Sequence, residues 1–278
     1  MNNYDFTVLI WFGSVVAGFL GAMTGLGGGV VIVPMLVLGL GVDIRYAAGA
    51  SLVSVIATSS GAAAAYVKEG YSNVRIAMFL EVATTLGALV GAFFASKLPT
   101  SLIAIFFGLV LLYSSYVSFQ ARHDVTETVH SDPLANRLKM DSSYPTSTGS
   151  QSYHVRAIPL GFCLMGFAGA VSGLLGIGSG AFKVLAMDRA MRIPFKVATT
   201  TSNFMIGVTA AASAGVYLNR GYIDPGLAMP VMLGVLIGSL LGARKLVMSN
   251  TSHLRIVFSL VVLFLAIEMI YNGLTGKL

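Results

Sequence analysis

Charge is what this sequence has least of. Charged side chains make up 10% of its 278 residues, against roughly 25% in an ordinary soluble domain. That deficit excludes a water-soluble globular core, because the apolar residues, 56% of the chain, fall in long blocks. There is one cysteine, Cys163, so no intrachain disulfide can form. The four histidines are scattered, three of them in or beside one polar stretch, and leave no spacing for a metal site. No basic run accompanies the net charge of +6. This argues against a nucleic-acid partner and fits a membrane protein, where positive charge records orientation. Met1 to Phe6 carries Asp5 and no Lys or Arg, so a secretory leader is not expected and the first apolar block is read as retained.

Glycine is abundant, at 32 residues. It lets transmembrane helices approach closely where van der Waals packing holds them together. Five apolar segments come first, at about 6–24, 29–41, 46–67, 74–96 and 101–119. Five more follow, at about 155–176, 178–191, 196–218, 224–246 and 254–272. Between them lies a polar stretch read as a solvated, mobile linker with a helical turn near 133–140. The expected organisation is therefore an N-terminal transmembrane repeat (1–119), a linker (120–154) and a C-terminal transmembrane repeat (155–278).

The two sets of segments are read as copies. An offset of 151 residues aligns 25–92 with 176–243 without a gap and gives 17 identities. Among them are Gly25/Gly176, Gly27/Gly178, Gly29/Gly180, Ser51/Ser202, Gly70/Gly221 and Tyr71/Tyr222. Segments 29–41 and 178–191 are short for a span of about 20 residues. They could be re-entrant, giving parallel repeats, or could cross, giving inverted ones. If all ten segments cross, Lys and Arg outside Lys183 split twelve to four between the two faces; re-entrant segments give eight to eight. The positive-inside rule favours the first. The expected fold is an all-α polytopic transmembrane bundle of two homologous five-segment repeats, inverted, with broken or short helices after paired glycine clusters. The linker then faces the cytoplasm and both termini lie outside.

The chemistry is expected at those clusters: Gly25, Gly27, Gly28 and Gly29 in the first half, and Gly176, Gly178, Ser179 and Gly180 in the second. A helix starting at such a break presents free N–H groups and a positive dipole end, and two brought together suit a small anion. Close helix crossing is the plainer alternative, and it is the one expected for Gly87, Gly91, Gly238 and Gly242. The third segment of each half opens with hydroxyl and amide residues that could bind oxyanion oxygens: Ser51, then Thr199 with Thr200, Thr201, Ser202 and Asn203. Lys183, three residues past Gly180, either adds positive charge to an anion site or snorkels to an interface. Glu81 and Glu268 show no evident partners in sequence, and Glu81 is a candidate carrier of a coupling proton. No convergent nucleophile, base or metal cluster is found, and no Gly-Lys-Ser/Thr follows either glycine cluster, so neither an enzyme nor a cofactor is expected.

These features resemble the sulfite exporter TauE/SafE family of membrane permeases. Gly25 to Gly29 followed by Pro34, the stretch Ala47 to Leu52 and their second-half echoes carry the likeness. The second half departs from it: Ser179 replaces a glycine, Leu185 stands where Pro34 would repeat, and Lys183 is an added charge. The resemblance implies secondary transport of sulfur-containing anions such as sulfite or organosulfonates, often outward, by a multi-pass protein of the cell inner (plasma) membrane. The expected partners are a small anionic substrate and the lipid bilayer, with a homo-oligomer allowed. A passive anion channel, or a permease for another small organic anion, remains the alternative.

Overall fold

A computed structural model of the protein describes residues 3–24, 28–68, 70–119, 132–146, 149–248 and 252–276. Gly25 and Gly27, and most of the expected linker before Asp132, lie outside the described residues.

The described chain is mostly helical. Helices α1 (Asn3–Thr24), α2 (Gly29–Pro34), α3 (Ile44–Lys68), α4 (Val74–Ala95) and α5 (Thr100–Phe119) are followed by a short α6 (Pro133–Arg137). Then come α7 (Ile158–Leu175), α8 (Gly180–Leu185), α9 (Phe195–Asn219), α10 (Pro225–Met248) and α11 (Ser252–Thr275). The offset that carries Gly29 onto Gly180 also carries the bounds of α2 onto α8 and of α3 onto α9. Both short helices widen into a π-helical turn, Met35–Gly39 and Ala186–Ala190. Pro34 is not the cause, since Leu185 holds its place in the second half. At the head of α4 the Asn73 side chain accepts the Ile76 N–H, whereas α2, α7, α8 and α9 start without a side-chain cap.

The helices of the two halves interleave. Helix α1 packs on α10 and α4 on α7, while α3 packs on both α9 and α10, α4 also on α9, and α5 on α11. Small residues set these distances. A Cβ added at Gly91 would lie 1.9 Å from the Ala170 carbonyl oxygen, and one at Gly238 would lie 2.0 Å from that of Val15. Gly87 and Gly242 sit at the same two crossings, against Gly166 and Phe19. Outward faces stay apolar: Met78, Val82, Leu86, Val90 and Phe93 form an exposed stripe along α4. Among the described residues, three helices, α4, α7 and the first 18 residues of α10, are long and apolar enough to cross a bilayer.

Contacts gather at the two ends of the 22-residue α4. At its C-terminal end the Arg45 guanidinium donates to the Leu98 carbonyl and lies over the Tyr222 ring, and Arg220 donates to Phe93. At its N-terminal end, the described part of the stretch expected to be a solvated linker, from Asp132 on, forms a small cap. The turn expected near 133–140 is α6, and behind it strands β1 (Ser142–Thr146) and β2 (Gly149–Tyr153) form an antiparallel hairpin, the one sheet among the described residues of an otherwise helical fold. Ala135, Met140, Tyr144, Tyr153 and Val155 are buried in one core with Ile76, Leu80, Met187 and Ile193. The Asn73 amide donates to the Met140 carbonyl (2.9 Å) and the Tyr153 hydroxyl (2.7 Å). Burial pushes the Tyr153 phenol above its ordinary pKa range, and the hydrogen bond from Asn73 opposes that.

Candidate functional site

The second glycine cluster breaks the chain by backbone conformation. Helix α7 ends at Gly176, whose φ is +70°; Gly178 follows at +71° and Ser179 at +46°, and α8 then begins at Gly180. Left-handed backbone is available to glycine but costs serine roughly 1–2 kcal/mol. In the first half Gly28 keeps right-handed φ, at −63°.

The start of α2 meets this second break. A Cβ on Gly29 would lie 2.4 Å from Ser51 Oγ and 3.2 Å from Ile177 Cα. The Ser51 hydroxyl donates to the Gly176 carbonyl at 2.6 Å, tying α3 to the opposite break. Gly176 abuts Ala48, and Gly178 fits between Val55 and Ile206. Gly29, Gly176 and Gly178 therefore lie together where α3 crosses α9, around a buried core that includes Leu52, Val55, Ile206 and Ala210.

The polar run on α9 divides into two sets. Thr200 is within hydrogen-bond reach of the Tyr71, Lys196 and Val197 carbonyls, and Thr201 Oγ1 accepts from Asn73 N–H at 3.1 Å. These two hydroxyls dock the start of α9 on the α3–α4 turn. Ser202 reaches the Gly180 carbonyl only at 3.4 Å. Asn203 is fully buried, and neither its amide nitrogen nor its amide oxygen has a partner among the described residues. The hydroxyls of Thr199, one turn earlier, and of Ser179 at the break are likewise buried and unpartnered among the described residues. Each such group costs about 1–3 kcal/mol unless something bonds to it.

Lys183 is wholly buried, which corrects the snorkelling alternative. Its ammonium donates to Thr209 Oγ1 at 2.5 Å and stands 3.9 Å from Glu81 Oε2. Thr209 in turn donates to Glu81 Oε1 at 2.6 Å, and Thr85 reaches the same oxygen at 3.3 Å. Glu81 is thus not the solitary carboxylate its sequence position suggests. Thr209 escaped the sequence reading, although it lies seven residues past Ser202 on one helical face. Ser59, whose hydroxyl donates to the Asn203 carbonyl at 2.6 Å, carried no sequence signal at all. Among the described residues no three His, Cys, Asp or Glu side chains converge as a metal site would need.

The family model for the sulfite exporter TauE/SafE matches residues 10–269, nearly the whole chain. The chain belongs to the TauE/SafE family. A probable membrane transporter protein of Bacillus subtilis, YunE, is 25% identical over 278 residues, covering 97% of this chain and 99% of its own. A probable membrane transporter protein of Xylella fastidiosa is 26% identical over 279 residues and covers 98% of each chain. One from Methanocaldococcus jannaschii is 25% identical over 267 residues, 91% of this chain and 90% of its own. No solved structure matches significantly. TauE/SafE membership and the three bilayer-length helices make this a membrane protein of a transporter family. In this TauE/SafE chain the chemistry at the α3–α9 crossing consists of neutral donors and acceptors beside one buried ion pair.

Proposed function

We propose that this TauE/SafE protein is a secondary transporter that carries a small sulfur-containing anion, sulfite or an organosulfonate, outward across the inner membrane. The carrying observation is the set of buried polar groups of Ser179, Thr199 and Asn203, unpartnered among the described residues, beside the point where Gly29 at the start of α2 approaches the Gly176–Ser179 break. Hydroxyl and amide groups coordinate oxyanion oxygens without bringing in a further buried charge. Gly28, Gly29, Gly176, Gly178 and Gly180 shape the backbone around that point. The sulfur chemistry and the outward direction rest on the family's description as sulfite exporters. Asn203→Ala should reduce uptake of labelled methanesulfonate or sulfite into proteoliposomes, and weaken binding by about tenfold or more, as expected for a hydrogen bond to a charged group. Counterflow, in which unlabelled anion inside the vesicle accelerates labelled entry, marks a carrier, whereas its absence marks a passive channel. Normal transport by Asn203→Ala would remove this residue from the site.

The proposed architecture is two inverted repeats with ten crossings and a cytoplasmic cap. Shared element bounds at one offset support the duplication. The end-to-end grouping supports full crossing by the short segments, because Arg45, Leu98 and Tyr222 meet at one end while Asn73, Met140 and Tyr153 meet at the other. An odd number of crossings per copy inverts the second copy. In a Cys163→Ala background, Leu138→Cys should react with an impermeant maleimide only from the cytoplasmic face, and Asp224→Cys only from outside. Labelling of both from one face would refute the inverted arrangement.

A further inference from the structure

The pair formed by Lys183 and Glu81 exists once in a duplicated protein. The offset that carries Thr58 onto Thr209 puts Lys183 opposite Ile32 and Glu81 opposite Met232. Duplication supplied the hydroxyl twice and the charges only in one place. These charges join three helices, Glu81 on α4, Lys183 on α8 and Thr209 on α9. Thr209 has one proton to give. With Lys183 donating to it, that proton has two acceptors in reach, Glu81 Oε1 at 2.6 Å and the Met205 carbonyl at 3.1 Å, and the shorter contact gives the order ammonium, hydroxyl, carboxylate.

We infer that Glu81 is a proton site that competes with the transported anion for Lys183, so that one proton travels with each anion. This rests on the anion site proposed above. Lys183 lies one turn past the break, its backbone N–H bonded to the Ser179 carbonyl at 3.2 Å. In the empty protein one buried carboxylate balances one buried ammonium. Bringing a monoanion to Lys183 would leave a net negative charge in a low-dielectric interior, which is strongly unfavourable. Protonation of Glu81 restores neutrality: the carboxylate takes one proton and becomes a neutral acid, while Lys183 keeps its charge and exchanges one counter-anion for another. Glu81 Oε2, 3.9 Å from the Lys183 ammonium and without a hydrogen-bond partner among the described residues, is the oxygen open to that proton.

Among the described residues, Lys183 is the charged group that faces Glu81. Helix α7 has no charged residue, and its titratable Cys163 is exposed. On α9, Lys196 lies over the Tyr71 ring and Tyr217 donates to the Leu174 carbonyl. Within α4 itself, Arg75 donates to the Lys139 carbonyl of the cap, where Asp141 pairs with His154. On the π turn after α8, Asp188 and Arg189 lie more than a helical turn past Lys183, and Tyr113 of α5 stacks on Phe182. A monoanion and a proton moving together carry no net charge. Outward movement then runs on the anion's own gradient, opposed by any inward pH gradient.

The test is calorimetric titration of the full-length protein with methanesulfonate, a strong-acid anion that does not itself titrate near neutrality, in two buffers of different ionisation heat. Wild type should take up about one proton per anion, and its affinity should fall about tenfold per pH unit on the alkaline side. Glu81→Gln should bind with no proton uptake and a flat pH profile. The isosteric pair Lys183→Met with Glu81→Gln, which leaves no lone buried charge, should fold, bind more weakly and show no linkage. Anion binding by wild type without proton uptake, or linkage that survives in Glu81→Gln, overturns this inference and leaves the transport reading standing. No binding of methanesulfonate or of sulfite overturns both.

Discussion

Lys183→Met is expected to destabilise the folded protein by about 3–5 kcal/mol, the usual penalty for removing one partner of a buried ion pair. Lys183 is fully buried and Glu81 is 9% exposed, so the carboxylate left behind keeps Thr209 and Thr85 as neutral partners and loses its counter-charge. Adding Glu81→Gln should recover most of the loss, because neutral groups of similar volume need no counter-charge. Thermal unfolding midpoints in detergent for the two single variants and the double variant form the cycle that isolates the pair. If Lys183→Met melts with wild type, or the double variant is no more stable than the single, the charges do not stabilise one another.

Gly91→Val should prevent assembly of the bundle. Its Cβ would lie 1.9 Å from the Ala170 oxygen, 2.8 Å from the carbonyl carbon and 2.9 Å from Leu174 N, all backbone atoms that cannot rotate aside. Relief requires α4 and α7 to separate along a seam where Gly87, Gly169 and Gly173 make equally close approaches. The loss should reach about 3 kcal/mol or more, the upper range for overpacking. Gly215→Ala is the matched control: it lies in α9 with nothing within 4 Å of the added methyl, and should be neutral or stabilise by up to about 1 kcal/mol. Yield of monodisperse protein on size exclusion reads both. A well-behaved Gly91→Val would mean that the crossing is looser than its geometry.

Much of this was legible in sequence because a bilayer narrows the choices. Long apolar blocks must be helices, and the offset that aligns the glycine clusters also fixes the bounds of α2 with α8 and α3 with α9. The crossing role of Gly87 and Gly91 followed from four-residue spacing alone. The hairpin was hidden because its strands, Ser142–Thr146 and Gly149–Tyr153, each bury one tyrosine and show no apolar alternation. Thr200 and Thr201 read as binding groups by residue type, yet their partners, Tyr71 and Asn73, sit about 130 residues away in sequence, in a turn that only packing brings near. The pairing of Glu81 with Lys183 is tertiary in the same way. Neither residue has an opposite charge at helical spacing, so no local pattern could join them.

The interleaving of the halves has a consequence for how the protein is made. Helix α1 ends at Thr24, and its packing partner α10 begins at Pro225. At about 5–20 residues per second, the ribosome needs roughly 10–40 s to deliver the second after the first. Throughout that interval Gly18 of α1 has no Val235 to close on, and Gly87 and Gly91 of α4 wait a shorter time for α7. Helices α1 and α4 therefore wait for their main packing partners, α10 and α7, while α2 already packs on α1 and α3 within the N-terminal half. The seams of α1 and α4 close only once the C-terminal half has been made, so a nascent chain stopped after α5 lacks the contacts that Gly18, Gly87 and Gly91 are shaped for.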